Sequence, residues 1–371
     1  MGPAWARVER FGPGATHGAW ALQEAFDAEP DTWALLTGQP ELAGVHARDA
    51  VYLDTETTGL AGGVGTFVWM VGLGRFLADG GFEVWQGYLP GPEAEVPFLM
   101  AVAERIAAAG SIVSFFGRSY DQHRLLDRLR VHGLASPFEG RLHLDLFAPL
   151  RRLVGDSLPN HKLQTLEHAL CGHERVDDLP GAAAPEAWFD SLAGRAHRME
   201  GVFRHNLEDV LSLATLHGAG GRALAGQRAN GEALAGCPDR RRLGLGNAAL
   251  ERRDPARAAA LIGERPPAEA GLAWRWLELR SRALARTGQD ALARRALELE
   301  GELFEPEDEP SARGAVEAAL LRTRLELRAG EVQQATLALA RARRRLAAAG
   351  SRTVGLARRL EALEARVLGR A

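Results

Sequence analysis

Strand signals in this 371-residue chain are confined to one stretch, and this distribution constrains the fold more than any other feature. Between Ala50 and Asp145, runs rich in β-branched and aromatic residues first follow one another and then alternate with helical patterns. That order is typical of a mixed α/β sheet. Beyond about Gly218 the chain is rich in Ala, Leu, Arg and Glu at helical period. The sequence therefore predicts an α/β domain followed by an all-α region.

We divide the chain accordingly into a lead-in over residues 1–48, an α/β domain over 49–220 and an α-helical domain over 221–371. The lead-in contains one predicted helix, at residues 20–28. The turn Asp79-Gly80-Gly81 predicts a hairpin. Five runs are predicted strands of the mixed sheet: 51–54, 66–76, 81–89, 111–116 and 141–145. Four runs are predicted helices flanking it: 93–109, 121–132, 163–170 and 201–216.

The C-terminal region repeats a turn-like phrase at intervals close to those of helix-hairpin repeats. The three phrases are Arg253-Asp254-Pro255, Thr287-Gly288-Gln289 and Ala329-Gly330-Glu331. An acidic, proline-containing stretch at 302–310 lengthens the second interval. The pattern predicts either a tetratricopeptide-like array or an irregular helical bundle.

Charge and hydropathy exclude several classes of protein. Acidic residues outnumber basic ones up to Gly236, and basic residues outnumber acidic ones from Cys237 onward. Lys162 is the only lysine, so nearly all the positive charge is arginine, which we interpret mainly as solvated helix faces. No run approaches the roughly 20 apolar residues that span a bilayer, and no signal-peptide pattern opens the sequence. We expect a cytoplasmic protein with no membrane partner.

The first chemical signal is a pair of acids at the end of the first predicted strand. Alternate residues of a strand face the same side, so Asp54 and Glu56 project together while Thr55 points away. A strand end can carry two acids without any function. The loop that follows is rich in glycine, which lets a backbone or a nucleotide approach closely. No lysine follows its last glycine, so it is not a Walker loop. The loop glycines are Gly59, Gly62, Gly63 and Gly65.

Two further segments supply the other candidate groups. Asp121 lies at the start of a predicted helix, where the helix dipole alone would favour an acid. His205 and Asp209 lie four residues apart on one helical face. A histidine one turn from a carboxylate can orient or deprotonate a water in a metal site. Four carboxylates from separate elements are the oxygen ligands that a pair of hard divalent cations requires.

Together these motifs resemble those of the DEDD 3′-to-5′ exonuclease superfamily, which has the ribonuclease H-like fold. The similarity is greatest to the bacterial YprB-like predicted exonucleases, which often carry a C-terminal tetratricopeptide-like region. It spans about residues 50–217 and rests on three segments: 53–63, 158–163 and 205–213.

The resemblance implies a metal-dependent exonuclease that acts on single-stranded nucleic acid or on the 3′ end of DNA or RNA. It implies two Mg²⁺ or Mn²⁺ ions, one activating water and the other stabilising the leaving oxygen. His205 is then the candidate general base. The implied metal ligands are Asp54, Glu56, Asp121 and Asp209. The residues expected to contact substrate are Thr57, Gly59, Gly62, Gly63, Arg118 and Lys162.

Three positions depart from the pattern or leave alternatives open. Phe116 occupies a place where relatives often have Asn, so a hydrogen bond is expected to be missing. His205 precedes Asp209 by the spacing of the tyrosine subgroup of the superfamily. Asp145 either supports the ligands from behind or is simply an acid at the end of a strand.

Two other functions remain open at this level. One is a structure-selective endonuclease on the same fold. The other is a noncatalytic adaptor that binds a protein partner through its C-terminal helices. The presence of all four acids argues against the adaptor.

Overall fold

The computed structural model describes residues 5–59, 65–154, 158–179, 181–223, 238–267, 270–303, 309–348 and 354–369. The chain divides into two compact units. The first combines Met1–Arg151 with Leu158–Gly236, and the second combines Arg152–Ser157 with Cys237–Ala371. Within the described ranges, no helix has both the length and the apolar character needed to cross a membrane.

A mixed sheet forms the centre of the first unit. The described strands are β1 (Trp5–Phe11), β2 (Thr16–His17), β3 (Trp20–Ala21), β4 (Ala50–Thr57), β5 (Val68–Phe76), β6 (Phe82–Tyr88), β7 (Ser111–Ser114) and β8 (Leu142–Asp145). Six of them form one sheet in the order β1-β6-β5-β4-β7-β8, and β2 pairs with β3 separately. Neighbours are antiparallel from β1 to β4 and parallel from β4 to β8. The carboxyl ends of β4, β7 and β8 therefore meet at one edge.

The expectation of a five-stranded sheet is wrong, because β1 adds a sixth strand at the edge. It pairs with β6 along its whole length, from Trp5 opposite Tyr88 to Phe11 opposite Phe82. Most β1 side chains are exposed. A strand without a buried face lacks the hydrophobic alternation by which strands are recognised in a sequence.

The helix expected at residues 20–28 is shorter than expected and is a 3₁₀ helix. Residues Trp20–Ala21 form β3, and a 3₁₀ helix follows over Leu22–Asp27. The α-helix of this region, α1, begins later and spans Pro30–Thr37. Proline is well suited to the first helical position, because the backbone N–H missing there would have no helical partner.

The remaining helices up to residue 221 cover both faces of the sheet. They are α2 (Glu95–Ala107), α3 (Asp121–Val131), α4 (Phe147–Val154), α5 (Leu163–Cys171), α6 (Ala184–Leu192) and α7 (Met199–Gly221). The four predicted helices correspond to α2, α3, α5 and α7. The prediction of a mixed sheet flanked by helices is thus confirmed apart from the strand count.

One face of the sheet is buried in an apolar core shared with α2, α3 and α6. Leu53 of β4 belongs to this core, and Trp69 of β5 stacks on Trp188 of α6 with ring centroids 6.0 Å apart. Because side chains alternate along a strand, burying Leu53 turns Asp54 and Glu56 toward the opposite face. The hydrophobic core thereby sets the direction of the acids.

Helix α7 packs against that opposite face where two residues of β5, Gly72 and Gly74, are glycines. A Cβ atom at Gly72 would lie 2.4 Å from Asn206 Oδ1, and one at Gly74 would lie 2.6 Å from Val210 Cγ1. Tyr52 and His217 form a hydrogen bond of 3.0 Å further along the helix. The two glycines let α7 lie close to the strand that neighbours the acids.

We expect Gly72→Ala to lower the free energy of unfolding by about 1 to 3 kcal/mol, the usual cost of overpacking. The new methyl group would have to displace Asn206 and Val210 of α7. Urea denaturation measures the effect. Gly12→Ala is the matched control, since a Cβ there meets no atom within 4 Å. Equal stability of the two variants would contradict the close approach.

The described residues of the second unit form helices joined by short connections, as the sequence predicts. Its helices are α8 (Pro238–Glu251), α9 (Pro255–Ile262), α10 (Ala270–Arg286), α11 (Asp290–Glu298), α12 (Glu309–Ala329), α13 (Val332–Ala348) and α14 (Val354–Leu368). Each of the three turn-like phrases falls at a junction between consecutive helices. Gly288 and Gly330 have positive φ at two of these junctions, and Asp254 caps α9 at the third.

Candidate active site

Strand β4 delivers its two acids to the face covered by α7. Asp54 lies opposite Gly72, and Glu56 lies opposite Met70, in the pairing with β5. The register shifts immediately after Glu56. Thr55 points the other way, and its hydroxyl donates to Asp121 Oδ1. The residue between the two acids therefore ties strand β4 to the start of α3.

Asp121 is the first residue of α3 and is nearly buried. The turn that leads to it is held by Asp145, whose carboxylate accepts from the backbone N–H of Phe116 at 2.8 Å and of Arg118 at 3.1 Å. Phe116 has a φ of 61°, a conformation that Asn adopts more readily than Phe. Asp145 also accepts a hydrogen bond from the backbone N–H of Phe147, as an acid at a strand end commonly does, so its contacts are compatible with both alternatives left open for it.

Helix α7 brings three polar side chains to the acids of β4. Asn206 is fully buried and donates from Nδ2 to Asp54 Oδ2 at 2.7 Å. Its own oxygen accepts from Gln86 at 2.9 Å. Asp209 follows one helical turn later, and its Oδ2 lies 3.5 Å from His205 Nε2. The sequence pattern placed His205 and Asp209 together but gave Asn206 no role.

The four carboxylates influence one another's ionisation. Burial raises the pKa of Asp54 and that of Glu56 well above their ordinary values, and the neighbouring charges of Asp209 and Asp121 raise both further. Burial also raises the pKa of Asp121 to about 6, with contributions from Asp145 and Asp209. Hydrogen bonds link the three elements that carry these acids, because Asn206 of α7 donates to Asp54 of β4 and Thr55 of β4 donates to Asp121 of α3. We refer to Asp54, Glu56, Asp121 and Asp209 as the acidic cluster.

An arginine that the sequence motifs did not indicate reaches this cluster. Arg175 donates to both oxygens of Glu167, at 2.7 and 2.9 Å, and to Asp209 Oδ1. Burial alone would lower the pKa of Arg175, but the bonds to Glu167 and Asp209 raise it. Burial raises the pKa of Asp209, whereas the positive charges of Arg175 and His205 lower it, and the net result is a raised pKa. Arg175 is thus a buried counter-ion for Asp209.

The candidate substrate contacts lie in different environments. The hydroxyl of Thr57 is engaged by Gly59 O at 3.3 Å and by Tyr120 at 2.9 Å. Arg118 is exposed and donates to Gln39, and Lys162 is an exposed residue at the start of α5. Gly62 and Gly63 lie outside the described residues. Their role as substrate contacts stays a prediction.

Protein donors orient three of the acids. Asp54 accepts a hydrogen bond from Asn206, and Asp121 accepts one from Thr55. Asp209 accepts one from Arg175. In the part of the chain that is described, no three His, Cys, Asp or Glu side chains already stand close enough to form a metal cage. The cluster thus brings oxygen donors near each other without a closed coordination shell.

Comparison with known proteins agrees with the fold. Residues 51–219 match the model of the RNase H superfamily. Over 179 residues the chain is 32% identical to the uncharacterized protein YprB of Bacillus subtilis (strain 168). This alignment covers 47% of the chain and 42% of the relative. Residues 51–219 are thus similar to a ribonuclease H-like domain, which is a nuclease fold, and the acidic cluster lies within the matched residues.

Proposed function

We propose that this protein is a divalent-metal-dependent nuclease of the DEDD type, which releases nucleotides from the 3′ end of DNA or RNA. The observation that carries the proposal is a pair of hydrogen bonds that link the elements bearing Asp54, Glu56, Asp121 and Asp209: Asn206 of α7 donates to Asp54, and Thr55 of β4 donates to Asp121. The similarity of residues 51–219 to the RNase H superfamily supports nucleic acid as the substrate. We further propose domain limits at residues 49–220 and 221–371, with a tetratricopeptide-like arrangement in the second.

The donor set suits Mg²⁺ or Mn²⁺. All four side chains offer carboxylate oxygens, which these hard cations prefer. Burial and the neighbouring acids raise the pKa of Asp54 and of Glu56, which means that both disfavour the ionised form, and bound cations would offset this penalty. Glu56 accepts no hydrogen bond from any side chain among the described residues, which leaves its oxygens available to a ligand. Asp54, Glu56, Asp121 and Asp209 would hold two ions.

The protein's own groups supply orientation and proton transfer. When bound, divalent ions would supply the charge that activates water and stabilises the leaving oxygen. Asn206 and Thr55 fix the carboxylates of Asp54 and Asp121 in place. His205, with Nε2 directed at Asp209, would take the proton from the attacking water.

A nuclease assay with Mn²⁺ on 5′-labelled single- and double-stranded DNA and RNA tests this function. We expect a ladder that shortens stepwise from the 3′ end. Asp209→Asn should slow it by about 10³-fold or more, because an amide cannot replace an anionic ligand. Asp31→Asn, an exposed change on α1, is the control and should leave the rate unchanged.

Three results would contradict the proposal. Cutting of closed circular substrates would favour the endonuclease. Absence of Mn²⁺ uptake by calorimetry would favour the noncatalytic adaptor. Equal rates for Asp209→Asn and the wild type would place the chemistry elsewhere.

A further inference from the structure

The segment between α5 and α6 contributes a further acid, Asp178, which contacts His205 beside the acidic cluster. Asp178 Oδ1 lies 2.7 Å from His205 Nδ1. Its other oxygen accepts from Gln164 Nε2 at 2.6 Å and from Arg175 at 3.4 Å. The side chains of Asp178 and His205 are only 14% and 12% exposed. Hydrogen bonds from Gln164 and Arg175 therefore orient the Asp178 carboxylate so that its other oxygen faces the ring of His205.

This contact determines where the ring carries its proton. Nδ1 of His205 has two polar neighbours, Asp178 Oδ1 at 2.7 Å and a guanidinium nitrogen of Arg175 at 3.4 Å. An ionised carboxylate can only accept, so the shorter of the two contacts makes Nδ1 the donor. In a neutral ring, the lone pair then lies on Nε2. This atom is 3.5 Å from Asp209 Oδ2, which is too far for a good hydrogen bond. The ring thus presents an uncommitted basic nitrogen on the side of the acidic cluster.

We propose that Asp178 is a positioning residue that holds His205 in the tautomer with a free Nε2. This inference rests on the proposed nuclease function, in which Nε2 receives the proton of the attacking water. Asp178 is not one of the four proposed metal ligands. It acts through the ring, and Gln164 and Arg175 fix its own orientation.

A purely structural role for Asp178 would be to tie its segment to α7. The variant Asp178→Asn separates the two roles. Arg175 has no acceptor atom, so the amide must keep its oxygen toward Arg175 and turn its NH₂ toward the ring. Nδ1 would then accept, and the ring proton would move to Nε2. In a catalytic triad, the same substitution costs about 10⁴-fold in kcat because it selects the wrong tautomer.

The test combines a spectroscopic and a kinetic measurement. Nitrogen-15 NMR of histidine-labelled protein at alkaline pH, where histidine rings are neutral, reports which nitrogen of His205 is protonated. His205→Gln identifies the signal. Asp177→Asn is the matched control, because Asp177 has a φ of 53°, which asparagine tolerates, and its neighbour contact is made by its backbone oxygen.

We expect the wild type and Asp177→Asn to carry the proton on Nδ1, and Asp178→Asn to carry it on Nε2. With Mn²⁺ present, kcat of Asp178→Asn should fall by about 10²- to 10⁴-fold. Its KM and Mn²⁺ uptake should stay within about twofold of the wild-type values, since the acidic ligands are intact.

Two outcomes would overturn the inference while leaving the nuclease function in place. One is a wild-type ring protonated on Nε2. The other is an active Asp178→Asn variant with unchanged kcat. If the tautomer moves as expected but the wild type degrades none of the nucleic acids, the nuclease function itself fails, and with it the catalytic meaning of the pair.

Discussion

Replacing Asp54 with asparagine is expected to abolish Mn²⁺-dependent release of nucleotides while making the metal-free protein more stable. Burial and the charges of Asp209, Glu56 and Asp121 all disfavour an ionised carboxylate at this position. The asparagine side chain removes that charge, and its amide oxygen can still accept the hydrogen bond from Asn206. The same change removes an anionic ligand from the proposed metal site.

We expect activity to fall by about 10³-fold or more, as for other losses of preorganised charge. The free energy of unfolding without metal should rise by roughly 0.5 to 2 kcal/mol, the common gain when a functional site is relieved of strain. Steady-state kinetics and thermal denaturation in a chelator measure the two effects. Asp31→Asn should change neither. A variant that keeps its activity, or that unfolds more readily, would show that Asp54 is an ordinary structural acid.

The second prediction concerns pH. The folded-state pKa of Asp121 is about 6, above the roughly 3.9 of an unfolded Asp, so the folded protein binds more protons between these values. Its contribution to stability is therefore complete below about pH 4 and is lost as the pH rises through 6. At about 1.4 kcal/mol per unit of pKa difference, this shift corresponds to roughly 3 kcal/mol, to which the charges of Asp145 and Asp209 contribute.

Urea denaturation between pH 4 and 7, with a chelator or with Mn²⁺, measures this dependence. The comparison of metal-free wild type with Asp121→Asn reports the titration of Asp121 together with its effect on the pKa of Asp54 and of Glu56. The wild type should lose stability relative to the variant as the pH rises. Saturating Mn²⁺ should counter the loss, because ligands that bind only the folded state stabilise it. A constant difference across this pH range would contradict the raised pKa.

Local patterns in the sequence were sufficient to group the acids. The alternation of Leu53 with Asp54 and Glu56 along β4 decides which side chains enter the core, and it is readable from four consecutive letters. The four-residue spacing of His205 and Asp209 places them on one helical face. The described structure contains both arrangements, because each depends only on the regular geometry of a strand or a helix.

The partners of these acids could not be found in this way. Arg175 and Asp178 lie in an irregular segment between α5 and α6, where no periodicity relates neighbours in sequence to neighbours in space. Thr55 was assigned only a direction away from the acids, yet that direction leads to Asp121. Strand β1 was missed because its pairing with β6 is made by backbone groups, while its side chains face solvent.

The hydrogen bonds of Asn206 fix how helix α7 is rotated about its own axis relative to the sheet. A helix turns by about 100° and rises by about 1.5 Å for each residue, so pinning one residue sets the angular phase of all the others. Asn206 is pinned to Asp54 and Gln86 on two different strands. The positions of His205 and Asp209 around the helix axis are therefore set by the sheet. A single residue inserted between Asn206 and Asp209 would turn Asp209, and the buried residues that follow it on α7, by about 100° relative to Asn206.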